Sequence, residues 1–261
     1  TLPDAYPADT TDKYLIASTT GVMSWAAAAG GGTIGGTVGA DYMPYAASAN
    51  TLANFAKVYT EGTNVILGQT PSSITASADN NTGFGDGVLA SLTDGDNNVA
   101  IGATAGDALT TGSSNMLIGY AAGGAMTVGQ HNVAIGHQAL VTNVDGSYNI
   151  AIGGQTLNSF EAGTINFGRN IAVGHGTAYN LTTGTGNTFL GHNIAYNLTT
   201  SPDNTAIGHN AMYGHATQDT ASANNVAIGM ASMFVASGAN NNTALGFGAL
   251  SGSSAGMTGD S

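Results

Sequence analysis

Histidines recur in this sequence at a spacing that could bind a metal ion. His137, His175, His192 and His209 each follow the glycine that ends a repeated motif, and the last three are 17 residues apart. Equal spacing in a repeat stacks equivalent side chains, and imidazole is a common ligand of transition metals. His175, His192 and His209 are therefore the candidates for a metal-binding column. The alternative is simple stacking at the surface, because the same place also holds residues such as Ala103.

Carboxylates could catalyse the hydrolysis of a sugar polymer, which needs one acid and one base or nucleophile. Glu61 and Glu161 are the only glutamates, and the aspartates are scattered over loop-type segments with no common place in the repeat. Nucleophile elbows, phosphate-binding loops and metalloprotease motifs do not occur. We therefore predict no catalytic residue, no enzyme activity and no cofactor.

Aromatic side chains in loop-type segments form a third group of candidates. Rings that carry a polar tip suit amphipathic surfaces, and they could stack on the sugars of a glycan. The same rings could instead brace neighbouring loops. The candidates for such receptor contacts are Tyr148, Phe160, Phe167, Tyr179, Tyr196 and Tyr213.

All of these residues belong to a repeat that spells Asn, two residues, one large apolar residue and Gly. Eight of the ten steps between successive asparagines are 17 residues long, and the other two are 21. A period of this size is typical of a solenoid, in which each unit buries its apolar side chains against its neighbours. The eleven asparagines are Asn64, Asn81, Asn98, Asn115, Asn132, Asn149, Asn170, Asn187, Asn204, Asn225 and Asn242.

The motif predicts one short β-strand in each turn, because the residue after the asparagine is mostly β-branched and the residue before the glycine is always large and apolar. We expect these two to point into the coil, and the small residue between them to point outward. None of the middle residues is polar, so we expect sister chains to cover them, in a homotrimer or a dimer. The candidates for this shared axis are Ala100, Ala134, Ala151, Ala172, Ala206, Ala227 and Ala244.

Other positions of the repeat have structural interpretations. The glycine allows a positive φ at a corner, and the asparagine can adopt the left-handed conformation and hydrogen-bond to the asparagine of the next turn. A second apolar patch follows the glycine, as at Ala139 and Leu140, and predicts a second strand. The four extra residues of the two longer turns are expected in loops at the rim.

Composition limits the possible partners and divides the chain. Charged residues make up 7% of it and the net charge is −12, so we predict no binding to nucleic acid. No run of 18 apolar residues occurs, so we predict no membrane span. Cysteine is absent. We predict an N-terminal connector with a Gly-rich linker over residues 1–40, a cap over 41–63, and a β-solenoid shaft over 64–261.

The motif Asn-Val-Ala-Ile-Gly at Asn98, Asn132 and Asn225 resembles the head repeats of trimeric autotransporter adhesins, which are left-handed parallel β-rolls of three chains. The 17-residue spacing and the segments 132–140 (NVAIGHQAL) and 242–250 (NTALGFGAL) are more similar to repeats of bacteriophage tail fibres. The connector-like phrases at 14–25 and 59–68 also resemble such fibres. This resemblance implies an extracellular virion component that works with other fibre proteins.

Repeat and resemblance together predict an all-β protein, a parallel β-solenoid or β-roll of eleven rungs that forms an intertwined homotrimer. As its function we expect a non-enzymatic shaft of a phage tail fibre, which spaces or presents binding to a host glycan or protein. Other virion proteins are the expected partners at its N-terminus. The first alternative is the head of a bacterial trimeric surface adhesin, located at the cell surface, and the second is a polysaccharide-degrading tail spike.

Overall fold

The computed structural model describes residues 13–17, 23–27, 57–59, 63–68, 74–75, 77–163, 167–214, 222–235 and 238–252. The chain divides into two compact units, Thr1–Tyr42 and Met43–Ser261. Most of the predicted connector and of the predicted cap lies outside the described residues, as does the Gly-rich linker.

The first unit contains a two-stranded antiparallel sheet. Strand β1 (Lys13–Ala17) pairs with β2 (Met23–Ala27), and Leu15 lies opposite Trp25. The apolar and β-branched residues of both segments favour extended chain.

The second unit is a parallel β-solenoid, as the repeat predicted. Eleven strands pair in sequence order, one from each turn, and the residue after each asparagine is in register with its equivalent in the next turn. Strand β3 (Lys57–Tyr59) runs antiparallel along the outer edge of the first of them. The described residues contain no helix. The eleven parallel strands are β4 (Val65–Gly68), β5 (Thr82–Gly85), β6 (Val99–Ile101), β7 (Met116–Ile118), β8 (Val133–Ile135), β9 (Ile150–Ile152), β10 (Ile171–Val173), β11 (Thr188–Leu190), β12 (Thr205–Ile207), β13 (Val226–Ile228) and β14 (Thr243–Leu245).

The two longer turns leave the strand register unchanged. Ile150 of β9 pairs with Ile171 of β10 across a 21-residue step, as equivalent residues do across the 17-residue steps. The described part of the first insertion ends at Gly163 and resumes at Phe167, outside the strands. The extra residues therefore lie between strands, because a strand position could not take them without shifting the ladder.

The predicted second strand of each turn is wrong. After the motif glycine the chain makes turns, with left-handed residues such as Gln138 (φ 55°) and Leu140 (φ 51°). Their backbone groups still bond from turn to turn, as in the 3.0 Å bond from the Leu140 N–H to the Thr156 carbonyl. Alternate positive φ values bend the backbone sharply, so it cannot form an extended strand there.

The alanines in the middle of the strands point into the coil of the single chain, so their predicted position at a trimer axis is wrong. All seven are buried within one chain, and the large residues on either side of them face outward. For five of the seven, the opposite wall of the same turn supplies a leucine or a methionine, which leaves room for only a small side chain on the strand. The seven alanines that lie in the interior of the coil, and not at a trimer axis, are Ala100, Ala134, Ala151, Ala172, Ala206, Ala227 and Ala244.

Side-chain sizes on the two walls of the coil are complementary. Where the strand supplies Ala134, the opposite wall of the same turn supplies the buried Leu140. Where the strand supplies Leu117, that wall carries Gly123, and a Cβ added there would lie 2.9 Å from a Leu117 methyl carbon. No described turn has a large side chain on both walls. The two turns with small residues on both walls, those of Ala100 and Ala172, precede turns that supply Leu117 and Phe189, so large and small side chains interdigitate as in a densely packed core.

Candidate assembly face and contact residues

The outward side of the parallel sheet is an apolar surface, which we call the assembly face. It consists of the residues one and three positions after each ladder asparagine. All eleven residues of the second column are large and apolar, as are seven of the eleven in the first; the other four are threonines. Phe84 is 57% exposed and Leu190 is 49% exposed, and exposed residues recur along the sheet among half-buried ones such as Ile118, Ile135 and Ile228. Soluble monomers rarely expose a continuous apolar strip of this length.

The assembly face carries no charged residue, although the chain has a net charge of −12. Two copies could therefore bring these faces together without placing like charges in contact. Strand pairing also keeps the pitch of the face constant over all eleven turns. A second ladder with the same pitch of about 4.8 Å would match it turn for turn.

The ladder asparagines hold this face in register from inside the coil. The Asn132 Oδ1 accepts hydrogen bonds from the Asn149 backbone N–H at 3.0 Å and from its Nδ2 at 3.1 Å. The Asn132 Nδ2 donates to the Gly146 carbonyl at 2.9 Å. Equivalent side-chain bonds join all eleven asparagines, which are at most 2% exposed. Each buried amide thus finds its partners in adjacent turns.

The predicted left-handed asparagine is displaced by one position. The residue before the ladder asparagine takes a positive φ, as Asn97 does at 58°, whereas the ladder residue itself does not. The motif glycine has its predicted corner role, since Gly102 has φ 130°. A Cβ on Gly102 would also lie 2.5 Å from the Gly119 carbonyl oxygen, so only glycine allows adjacent turns to approach.

The histidine column is present as an exposed stack. The ring centroids of His175 and His192 are 5.5 Å apart, and those of His192 and His209 are 5.3 Å apart. Metal ligands lie at about 2.0–2.1 Å from the ion, so three rings at this spacing are too far apart to share one ion. Tyr120 and His137 stack in the same column at 5.4 Å. No group of three or more acidic, histidine or cysteine side chains suited to a metal occurs in the described part of the chain.

One pair of carboxyl groups comes together that the sequence did not indicate. Glu161 and Asp145 lie on neighbouring turns, close enough for the Asp145 carboxyl group to affect the protonation of Glu161. Burial, followed by this contact with Asp145, raises the pKa of Glu161 above its ordinary value.

Two other carboxyl groups are perturbed in opposite directions. Burial raises the pKa of Asp107. Hydrogen bonds from Thr75 and then Ser77 lower the pKa of the exposed Asp94. A carboxylate that accepts hydrogen bonds is stabilised in its charged form, whereas burial disfavours that form. Both perturbations are local and bring no further titratable group into a shared site.

The candidate receptor contacts separate into three environments. Phe160 is fully buried in the core, so its predicted exposure is wrong; it occupies the interior column that holds Leu181 in the next turn. Tyr179, Tyr196 and Tyr213 are half-buried and stack on one another, with centroids 5.0 Å and 5.5 Å apart.

Stacking in the tyrosine column favours bracing over sugar binding. Phe234 continues the column at 5.1 Å from Tyr213, so neighbouring rings cover most of the ring faces. Sugars stack on open ring faces, whereas these tyrosines present mainly their edges. Burial, followed by the neighbouring Tyr179 and Tyr213, raises the pKa of Tyr196. Only Tyr148 and Phe167, at 45% and 54% exposure, are open to solvent.

The sequence contained a signal that could have shown which side of each strand faces the interior. Large middle residues such as Leu117 and Phe189 occur with Gly123 and Ala195 eight residues after the ladder asparagine. The middle residue Ala134 occurs instead with Leu140 at that place. Such reciprocal sizes are expected only of side chains that share one interior.

Comparisons with protein family models, with curated proteins and with solved structures find no significant match to this chain. The structure itself defines the class of protein, a parallel β-solenoid. Among the described residues, no helix of a length and apolarity that could cross a membrane is found.

Proposed function

We propose that this chain is a non-enzymatic segment of a bacteriophage tail fibre, in which three copies associate through the assembly face into a shaft. The observation that supports this most directly is the uncharged apolar strip along the outside of β4–β14. The repeat motif and its 17-residue spacing, which resemble those of tail fibres, support the same assignment.

The size of the assembly face supports burial against another chain. Its exposed apolar side chains amount to about 1,000 Å², against about 300–600 Å² for the largest patch on a typical monomer. A stable interface buries about 800 Å² on each partner. The hydrophobic gain from covering such a strip favours association strongly.

A second copy of the chain is the occupant that fits this strip best. A partner must be apolar, must be as long as the eleven turns, and must present side chains at the same pitch. The same chain meets all three conditions. The proposed homotrimer thus has the number of chains that the sequence predicted. Its interface is different, because Ile135 and its equivalents contact the neighbouring chain, whereas the sequence analysis expected Ala134 and its equivalents there.

The assembly can be tested by measuring the native mass of the full chain in solution. Wild-type protein is expected at three times the mass of one chain, and Ile118→Asp with Ile152→Asp is expected to give monomers. Charges at these positions would be buried without partners. Thr183→Asp adds an exposed carboxylate away from the face and should leave the mass unchanged. A monomeric wild type, or a double variant that remains trimeric, would overturn the proposal.

The place where the protein is found, together with its action on polysaccharide, distinguishes a tail fibre from the two alternative functions. We propose a place in the virion, with other fibre proteins as partners at the N-terminal unit and a host glycan or protein as the receptor. Mass spectrometry of purified particles should then recover peptides of this chain. Peptides found only in a bacterial surface fraction would favour the trimeric adhesin. Shortening of purified capsular polysaccharide by the chain would favour the degrading spike.

A further inference from the structure

The column formed by the residue before each ladder asparagine contains three residues that do not suit its backbone conformation. The residue before the ladder asparagine adopts the left-handed conformation in ten turns, with φ between 56° and 73°. Glycine, asparagine and aspartate tolerate this conformation best, because a larger side chain crowds the backbone. Seven of the ten turns use small or tolerant residues: Asn80, Asn97, Ser114, Gly186, Asp203, Asn224 and Asn241.

Three consecutive turns break this rule. They place His131, Tyr148 and Arg169 in the left-handed conformation, at φ 56°, 63° and 56°. Among the left-handed residues of other columns, Leu140 and Leu157 are buried, and their packing in the core offsets the strain, whereas Gln138 and Gln155 are half-buried. His131, Tyr148 and Arg169 are exposed, so core packing does not account for them. Local strain retained at the surface points to a function of the side chains.

These side chains form one exposed cluster with Phe167. The rings of His131 and Tyr148 are parallel, with centroids 5.0 Å apart. A bridge between Ser147 and Gly168 sets Phe167 and Arg169 beside the Tyr148 turn. The Arg169 guanidinium carbon lies 6.0 Å from the centroid of the Phe167 ring. We call His131, Tyr148, Phe167 and Arg169 the aromatic–arginine cluster.

The chemistry of this cluster suits an acidic sugar. Arg169 is the only arginine of a chain with net charge −12. A guanidinium offers five donors in a planar fork that matches a carboxylate. The face of the exposed Phe167 ring that Arg169 does not cover can stack on the apolar face of a sugar ring, and the Tyr148 hydroxyl can bond to its polar groups.

We propose that the aromatic–arginine cluster binds glycan residues that carry a carboxylate, and this rests on the adhesive function proposed above. Arg169 holds the carboxylate, Phe167 stacks on the ring, and Tyr148, supported by His131, lines the adjacent side. A hydrogen-bonded ladder asparagine follows each of His131, Tyr148 and Arg169 and fixes that part of the backbone to an adjacent turn. Phe167 is held by its carbonyl, which accepts a 3.1 Å bond from the Ser147 N–H.

The test uses a glycan array with uronic and sialic acid oligosaccharides, their carboxyl-reduced neutral counterparts, and sugar phosphates. Wild-type protein is expected to bind at least one of the carboxylate glycans and to bind its neutral counterpart much more weakly. Arg169→Asn and Tyr148→Asn should each lose about tenfold or more in affinity. Arg169→Lys, which keeps the charge without the fork, should retain part of the binding.

Stability gives a second readout, because asparagine suits the left-handed conformation. Both asparagine variants should melt at or above the wild-type temperature. Tyr120→Asn is the matched control: Tyr120 is 53% exposed and stacks on His137, but it lies in another column and does not have a positive φ. This variant should bind like wild type.

Several outcomes would overturn the proposal. These are an absence of carboxylate glycans among the bound probes, equal binding of the neutral forms, binding of sugar phosphates alone, and unchanged affinity in Arg169→Asn. Lower melting temperatures in both asparagine variants would show that the bulky side chains serve stability instead. The native mass of each variant is measured in parallel, so failure of the sugar site with an unchanged mass is distinct from failure of the assembly.

Discussion

Truncation of one ladder asparagine, Asn132→Ala, tests what holds successive turns together. The change removes two bonds that the Asn132 Oδ1 accepts from Asn149 and two that its Nδ2 donates, to the Asn115 Oδ1 and to the Gly146 carbonyl. In the variant the Gly146 carbonyl still accepts a 2.9 Å bond from the Asn143 Nδ2, and the Asn115 Oδ1 still accepts a bond from the backbone N–H of residue 132. The buried backbone N–H of Asn149 is left without its acceptor.

The expected loss follows from these contacts. An orphaned buried donor costs about 1–3 kcal/mol, and each of the other lost bonds contributes about 1 kcal/mol. Asn132→Ala should therefore lower the free energy of unfolding by about 4–6 kcal/mol. Because association also stabilises the folded chain, denaturant titrations of both proteins must use one protein concentration.

The control for this prediction is Asn158→Ala. Asn158 is half-buried, and its side chain makes one long bond, 3.4 Å from Nδ2 to the Gln138 carbonyl. Its loss should cost less than about 1 kcal/mol. If Asn132→Ala were as mild as Asn158→Ala, the asparagine ladder would not be a main source of stability and the argument would be refuted.

Three further predictions concern the interior and the carboxyl pair. Asn143→Leu should raise the free energy of unfolding by about 1–3 kcal/mol, because the buried Asn143 Oδ1 has no hydrogen-bond partner and leucine fills this column in other turns; a lower value in denaturant titration would contradict this. Ala134→Leu should lower the free energy of unfolding by about 1–3 kcal/mol, because the larger side chain overfills the coil. An unchanged free energy of unfolding would mean that the Ala134 side chain points out of the coil. The raised pKa of Glu161 means that the folded chain binds its proton more tightly than the unfolded chain, so stability should fall as pH rises above about 4.5 towards the folded-state pKa. Glu161→Gln should remove that part of the pH dependence and stabilise the chain at neutral pH, and identical thermal melting profiles across pH would refute the assigned contact with Asp145.

The repeat made the architecture predictable from the sequence. The spacing of Asn98, Asn115 and Asn132 sets one strand per turn, and β-branched neighbours such as Val99 favour the extended conformation there. Both features are local and periodic, so they need no knowledge of distant contacts. The ladder bonds follow from the same spacing, because equivalent residues of adjacent turns must lie one strand apart.

The contact of Asp145 with Glu161 could not be read from the sequence. The 17-residue period aligns Asp145 with Ala162, so Glu161 belongs to the neighbouring column. The two carboxyl groups meet because the backbone N–H groups of Val144 and Gly163 hold the Glu161 carboxyl beside that turn. Side-chain direction in irregular chain depends on such contacts, not on spacing.

The sequence alone determined the period, the strands, the ladder and the alternation of sides within each strand. Alternation states that Ala134 and Ile135 face opposite ways, but it does not state which of them faces in. That was decided by the opposite wall, whose left-handed turns bring Leu140 so close that the interior beside the strand has room only for a methyl group. Isoleucines such as Ile135 therefore face outward and form the assembly face. The side chains of both walls together decide which side of a strand fits into the interior.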